Sequence, residues 1–252
     1  MPSTLPQITD EQKRQYQEEG YFILERAISD EHLKNLQDEC QGFIDKIHAQ
    51  MDEKKTDVLG ISHRNKRYFI SNRNKESAKL REFLFSDLMA DICRATLGEN
   101  AFLFHEQYVV KAAEVGMKFA WHQDSGYVGH DHRPYLSCWC ALDDMREENG
   151  TVYILPYSRA GVRKRIDHIK EEGTNDLVGY HGDDPGEPVI VPAGSIAVFS
   201  SVCFHRSGTN RTKNMRRVYL AQYSAEPIMS KDGSRLWGLA EPILKAGKRI
   251  NH

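Results

Sequence analysis

The spacing of apolar residues changes period near residue 100, and that change restricts the possible folds more than any other feature. Upstream, Leu33, Leu36, Cys40, Phe43, Ile44, Ile47 and Met51 recur at intervals of three and four. That spacing is one face of a helix, which Ser29 or Asp30 can cap. Thr9 followed by Gln12 has the spacing of a capping box and opens a shorter helix toward Gly20, with Tyr21–Leu24 as a short strand after it. Residues 52–57 read as a polar loop. Leu80, Phe83, Leu84, Leu88 and Ile92 then mark a second helical stretch that ends near Leu97 and Gly98. Downstream, the segments 102–112, 135–142, 151–155, 188–191, 195–200 and Arg216–Ser224 are short and rich in β-branched or aromatic residues. Gly, Pro, Asn and Asp cluster between them.

Helices followed by strands suit either two domains or one domain with helices packed on a β-sandwich. No Pro/Ser/Gly-rich linker divides the chain, and 252 residues with 40% hydrophobic content can supply one large core. The expectation is a single domain over 1–252, mainly β with flanking helices. It would comprise a helical part (1–100), a β core (101–225) and a C-terminal extension (226–252). Residues 167–187 are polar and turn-rich, and long for a plain connection, so they are a candidate lid.

Thirty-four Lys and Arg against 36 Asp and Glu leave a net charge of −2, which gives no reason to expect nucleic acid or an anionic membrane as partner. No apolar run is long enough for a transmembrane span. The start, Met1 to Gln7, lacks the order of a secretory signal, and the end is not a Ser-Lys-Leu address. Cys40, Cys93, Cys138, Cys140 and Cys203 sit among apolar neighbours, as buried reduced thiols do in a cytoplasmic protein. Cys138 and Cys140 would share one strand face, which is not a redox CxxC.

The chemistry concentrates in Trp121-His122-Gln123-Asp124. Residues two apart on a strand face one side, so His122 and Asp124 can hold one ion together. His205 is the candidate third ligand. Two histidines and a carboxylate form the facial triad that leaves open positions on Fe(II). His-x-Asp alone is weak evidence among eleven histidines, and a core histidine satisfied by a neighbour is the plain alternative for His122. A second copy, His181-Gly182-Asp183, lies in a Gly/Asp/Pro loop with no strand to fix its geometry. Arg216 follows His205 across a turn-like segment, which suggests adjacent antiparallel strands. Its guanidinium can grip the distal carboxylate of a keto-acid co-substrate with help from the Ser207 hydroxyl. Arg217 points to the opposite face, so one of the pair should be inward and the other solvated.

Taken in order, Trp121 to Asp124, Trp139, Asn149-Gly150-Thr151-Val152-Tyr153-Ile154-Leu155-Pro156, His205-Arg206-Ser207-Gly208 and Arg216 resemble the phytanoyl-CoA dioxygenase (PhyH) family. These are Fe(II)/2-oxoglutarate-dependent oxygenases that include phytanoyl-CoA and ectoine hydroxylases, and the likeness runs over about residues 104–223. The resemblance implies a double-stranded β-helix (jelly-roll, cupin-like) core and the use of Fe(II), 2-oxoglutarate and O2. It also implies iron on His122, Asp124 and His205. Arg216 and Ser207 would hold the co-substrate's C5 carboxylate, with Lys111 and Trp139 in the same pocket. Asp124, replaced by Gly or Ala in related halogenases, favours hydroxylation, with succinate and CO2 released. One departure is Pro156-Tyr157-Ser158-Arg159, where the family often has Pro-Gly-Ser-His.

The substrate is expected to be a small, polar or anionic molecule, with His105, Gln107, Tyr127 and Arg67 as candidate contacts. The basic, aromatic run from His63 to Phe69, with Arg73, either gathers an anion or is a solvated loop, the plainer reading. His130 and His132 face substrate or sit in a surface turn, and Arg163-Lys164-Arg165 reads as a solvated face. Oligomeric state is not legible. A zinc hydrolase or lyase on the same three ligands is the first alternative, and a metal-bound β-sandwich sensor without turnover is the second.

Overall fold

The computed structural model describes residues 7–113, 118–172 and 177–251. Gly173, in the candidate lid, lies outside them, as do Met1 to Pro6 and the terminal His252. The first helix, Asp10–Glu19, is opened by the expected capping box: the Thr9 side chain accepts from the Gln12 amide, and Gln12 Oε1 accepts from the Thr9 amide at 3.0 Å. Gly20 closes it at φ 84°, and the Tyr157 ring fills the space where a Cβ would stand. Helix Asp30–Glu53, capped by Ser29, buries Leu36, Cys40, Phe43, Ile44, Ile47 and Met51. It runs to Glu53, slightly into the expected polar loop.

The second helical stretch is two helices, Ala78–Leu84 and Asp87–Thr96, not one. Ser86 restarts the helix: its hydroxyl accepts from the Met89 amide at 3.4 Å, and Asp87 then stands in the first turn, where a carboxylate favours the helix dipole.

Two large antiparallel sheets carry most of the rest, beside a two-stranded pair of Ile169–Lys170 with Leu177–Val178. The central strands of the larger, in spatial order, are Tyr21–Leu24, Ile196–Ser200, Leu136–Ala141, Arg216–Ser224, Ala101–Lys111 and Arg67–Ser71. The smaller runs Glu187–Pro188, Val152–Leu155, Phe204–Ser207, Phe119–His122. Side chains alternate across the larger sheet. Cys138, Cys140, Tyr219, Ala221 and Tyr223 pack with Leu36, Cys40 and the other helical core residues. Trp139, Ala141, Phe199 and Val218 point the other way and pack with Val152 and Ile154 of the smaller sheet. The molecule is therefore a double-stranded β-helix with helices covering one outer face. All five cysteines are buried and free, with Cys138 and Cys140 on one face as expected.

Several expectations change. The strand expected over 188–191 is only Glu187–Pro188, although Val189 and Val191 are buried in the core between the sheets. The run containing Arg67 is not a solvated loop: Arg67–Ser71 is a strand hydrogen-bonded along Ala101–Lys111. Strands from the first hundred residues thus belong to the large sheet, and so does Glu241–Lys245 near the C-terminus. His205 and Arg216 are not on adjacent strands: Phe204–Ser207 belongs to the smaller sheet and Arg216–Ser224 to the larger, so the turn between them crosses the barrel. Among the described residues no helix is long and apolar enough to cross a membrane.

Candidate metal centre

His122 ends the strand Phe119–His122, and Asp124 opens a short helix, Asp124–Val128. The two residues therefore meet across a strand-to-helix turn and not along one strand. Gln123, fully buried between them, fixes that turn. Its side-chain amide donates to the carbonyls of Lys164 and Val202 and accepts from the Ile166 amide, while its backbone amide donates to His168 Nε2 at 2.9 Å. His205 pairs in register with His122 on the neighbouring strand, and their ring centres are 4.2 Å apart.

The ligand atoms converge. Asp124 Oδ1 lies 3.4 Å from His205 Nε2 and 4.0 Å from His122 Nε2, and the three groups offer atoms all within 4.8 Å of one another. Nδ1 of His122 donates to the Ala120 carbonyl at 2.7 Å, and Nδ1 of His205 to the Cys203 carbonyl at 3.1 Å. Both bonds leave the lone pair on Nε2, toward Asp124. Oδ2 of Asp124 accepts from Ser137 Oγ at 2.5 Å and Gln222 Nε2 at 2.9 Å, which leaves Oδ1 for the centre. Burial, reinforced by His205, pushes His122 down to about 3. Burial alone would raise Asp124, but His205, His122 and Ser137 outweigh it and hold the carboxyl at about 2. One anion and a neutral His122 imidazole are thus ready at neutral pH. No other cluster of three potential ligands occurs among the described residues.

A cavity of about 360 Å³ opens on these atoms. Arg216 lines it, 1% exposed, donating from Nη2 to the Gly150 carbonyl at 2.6 Å. Its Nε has no partner, and the guanidinium carbon stands 5.7 Å from the Trp139 ring centre. Burial lowers its pKa to about 10, and no carboxylate among the described residues forms an ion pair with it. Arg217, on the opposite face, is ion-paired with Asp143 at 2.6 Å and not simply solvated. Lys111 is fully buried and donates to Ser207 Oγ at 2.8 Å and to the Gly208 carbonyl.

Gly150 sets this corner. Its φ is +74°, and a Cβ there would lie 2.4 Å from the Gly208 carbonyl oxygen. Gly150→Ala combines a left-handed alanine with a backbone collision and is expected to cost about 2–3 kcal/mol. A thermal melt should show the midpoint lowered by roughly 5–10 °C.

His105, Gln107, Tyr127 and Arg67 all border the same cavity. His105 Nε2 and Gln107 Oε1 are 3.1 Å apart, and Tyr127, 47% exposed, places its ring edge-on to His122. Other candidates lie elsewhere. His181 and Asp183 are exposed on their loop. His130 bonds the Met229 carbonyl and packs on Trp237, and His132 bonds Ser125. Tyr157 is buried in the core between the sheets and covers Gly20, and Arg159 pairs with Asp184 and Glu187, so the departure at 157–159 packs the core and ties neighbouring segments and does not line the cavity. Ser137 and Gln222, which orient Asp124, were missed. Gln222 was findable: it stands six residues after Arg216 on one strand and so faces the same way.

The sequence matches the family described as Phytanoyl-CoA dioxygenase (PhyH) over residues 16–218. A protein of Stutzerimonas stutzeri named "Probable alpha-ketoglutarate-dependent hypophosphite dioxygenase" is 26% identical, the match covering 94% of this chain and 86% of that one. A methylphosphonate hydroxylase of Gimesia maris is 25% identical over 86% of this chain and 81% of its own. Among solved structures, the non-haem alpha-ketoglutarate-dependent carbocyclase SnoK from nogalamycin biosynthesis superposes with a TM-score of 0.69 at 16% identity, covering 93% of this chain and 90% of that one. A match over this much of its length means that the chain belongs to the phytanoyl-CoA dioxygenase family.

Proposed function

We propose that this 2-oxoglutarate-dependent non-haem iron dioxygenase hydroxylates a C–H bond of a small polar or anionic metabolite. In this reading His122 Nε2, Asp124 Oδ1 and His205 Nε2 hold the iron. Arg216, with Ser207 and Lys111 beside it, takes the distal carboxylate of 2-oxoglutarate, and Trp139 packs against that guanidinium. The donor set fits: two imidazoles presenting Nε2 and one carboxylate oxygen form a three-ligand face, and the remaining acceptor and donor atoms are already engaged. Iron, 2-oxoglutarate and O2 together supply the oxidant for C–H hydroxylation, with succinate and CO2 as by-products. The chain's own residues position the co-substrate, and His205, His122 and Ser137 hold Asp124 ionised.

The observation that carries this reading is Arg216, a buried guanidinium without an acidic partner in the cavity that holds the triad. A zinc hydrolase or lyase gives it no task. The names of the hypophosphite and methylphosphonate relatives support a small anionic substrate, and five free buried thiols suit a reducing cytoplasm. The test is a panel of small carboxylates and phosphonates scored by succinate release above the substrate-free background. A substrate should raise that rate and gain one oxygen atom by mass spectrometry. Substrate-dependent succinate release with a product that gains no oxygen would replace hydroxylation by desaturation or ring closure. If 2-oxoglutarate does not bind the Fe(II)-loaded protein, the oxygenase reading is wrong.

A further inference from the structure

Arg67, Lys111 and Arg216 occupy paired positions on three neighbouring strands. Paired residues of an antiparallel sheet project from the same face, so these three cations form one row across the inner wall of the barrel. Two of them are accounted for at one end, where Arg216 meets Gly150 and Lys111 meets Ser207 and Gly208. Arg67 stands two strands away from Arg216, roughly 10 Å by the usual strand spacing.

We infer that Arg67 anchors a negatively charged head group of the substrate, which makes the substrate a small oxyanion. The inference rests on the dioxygenase reading above. Arg67 is 8% exposed and lines the same cavity as His122, Asp124 and His205. Its Nε donates to the Ile61 carbonyl at 3.2 Å, and its guanidinium carbon lies 5.6 Å from the Phe69 ring centre. Among the described residues its hydrogen bond runs from Nε, which leaves the two terminal nitrogens toward the cavity. A guanidinium held in place on its Nε side, with its fork open to the cavity, is preorganised for an anion that enters there.

The co-substrate does not need this third cation. One of its carboxylates belongs at the metal centre and the other at Arg216, and Arg206, which also lines the cavity, is turned to the Pro185 carbonyl and the Tyr153 ring, so Arg67 is the cavity-lining arginine left without an assigned partner. Beside it, His105 and Gln107 are polar but uncharged: burial lowers the pKa of His105, which keeps its ring neutral. A single negative head group is therefore matched on this side, with its hydrocarbon part directed to the triad. The cavity of about 360 Å³ must hold both molecules and lies near the lower end for small-ligand sites, so the substrate is small. A guanidinium fork accepts a carboxylate or a phosphorus oxyanion equally well.

Calorimetric titration of the Ni(II)- and 2-oxoglutarate-loaded protein separates these cases, with acetate, methylphosphonate and neutral acetamide as probes. One or both oxyanions should bind and acetamide should not, and the stronger oxyanion identifies the head group. Arg67→Gln should weaken that binding about tenfold or more, while Arg67→Lys retains part of it. Equal binding to wild type and Arg67→Gln would place the anion on the metal or Arg216 and overturn the inference, as would failure of both oxyanions to bind wild type. The anaerobic Fe(II)/2-oxoglutarate absorption band is read on the same proteins. If Arg67→Gln loses 2-oxoglutarate affinity, Arg67 belongs to the co-substrate and the inference falls. If the band persists while the anion arm fails, only the inference falls. Should the Gln variant not fold, the Lys variant carries the comparison.

Discussion

Replacing His122 by Ala is expected to abolish the weak visible band formed anaerobically by Fe(II) and 2-oxoglutarate, and to bring turnover down to background. The reason is geometric. His122 and His205 are paired across two strands, and each aims Nε2 at Asp124 because its Nδ1 is tied to a backbone carbonyl. Removal of one ring leaves one histidine and one carboxylate. Changes to groups that merely orient ligands cost 10–100-fold in metal affinity, and loss of a ligand itself should cost at least about 100-fold. The fold should survive, since the site lies at the cavity and not in the helical core. A cooperative thermal melt of the variant checks that the lost band reflects lost metal. If a folded His122→Ala protein kept the band at wild-type intensity, the three-ligand assignment would be wrong.

Arg216→Ala is the second large effect, and it should separate co-substrate from metal. The guanidinium is 1% exposed and near an aromatic face, so a carboxylate brought to it is fully desolvated. Truncating one partner of such a pair costs about 2–5 kcal/mol, or roughly 30-fold to more than 1,000-fold in 2-oxoglutarate affinity. Metal binding, measured by titration without co-substrate, should stay within a few-fold of wild type. Arg216→Met adds a sharper contrast. A buried cation without an acid partner is a burden to the free protein, so the apolar isostere should melt no lower than wild type while losing the co-substrate. Unchanged 2-oxoglutarate affinity in either variant would remove Arg216 from the site.

What the sequence made legible was local. Thr9 with Gln12, and the row from Leu36 to Met51, are i to i+3 and i+4 relations that a helix satisfies without help from the rest of the chain. Arg216–Ser224 was equally plain from its β-branched and aromatic residues. The pairing of His205 with His122 was not legible, since it depends on which of several short strands meet across the barrel. For the same reason Arg216 was expected beside His205 when it lies in the opposite sheet. Arg67–Ser71 was hidden by its own chemistry: a guanidinium turned inward breaks the apolar alternation by which a buried strand is recognised. Ser86 hid the helix break because the apolar spacing continues past it. Ser137 and Gln222 have no motif, and their importance exists only once their strands are in register beside Asp124.

Gln123 has a wider consequence. Its side chain joins the ligand turn to residues 164–166, and its backbone amide to His168, some forty positions along the chain. If iron binds as proposed, its occupancy and the order of that distant segment should be thermodynamically linked, and linkage is reciprocal. In that reading, whatever loosens residues 164–168 should raise the dissociation constant of the ion, and whatever fills the centre should tighten them by the same free energy. The segment would then act as an adjustable support behind the ligand turn, where distant sequence change tunes metal retention without altering a ligand.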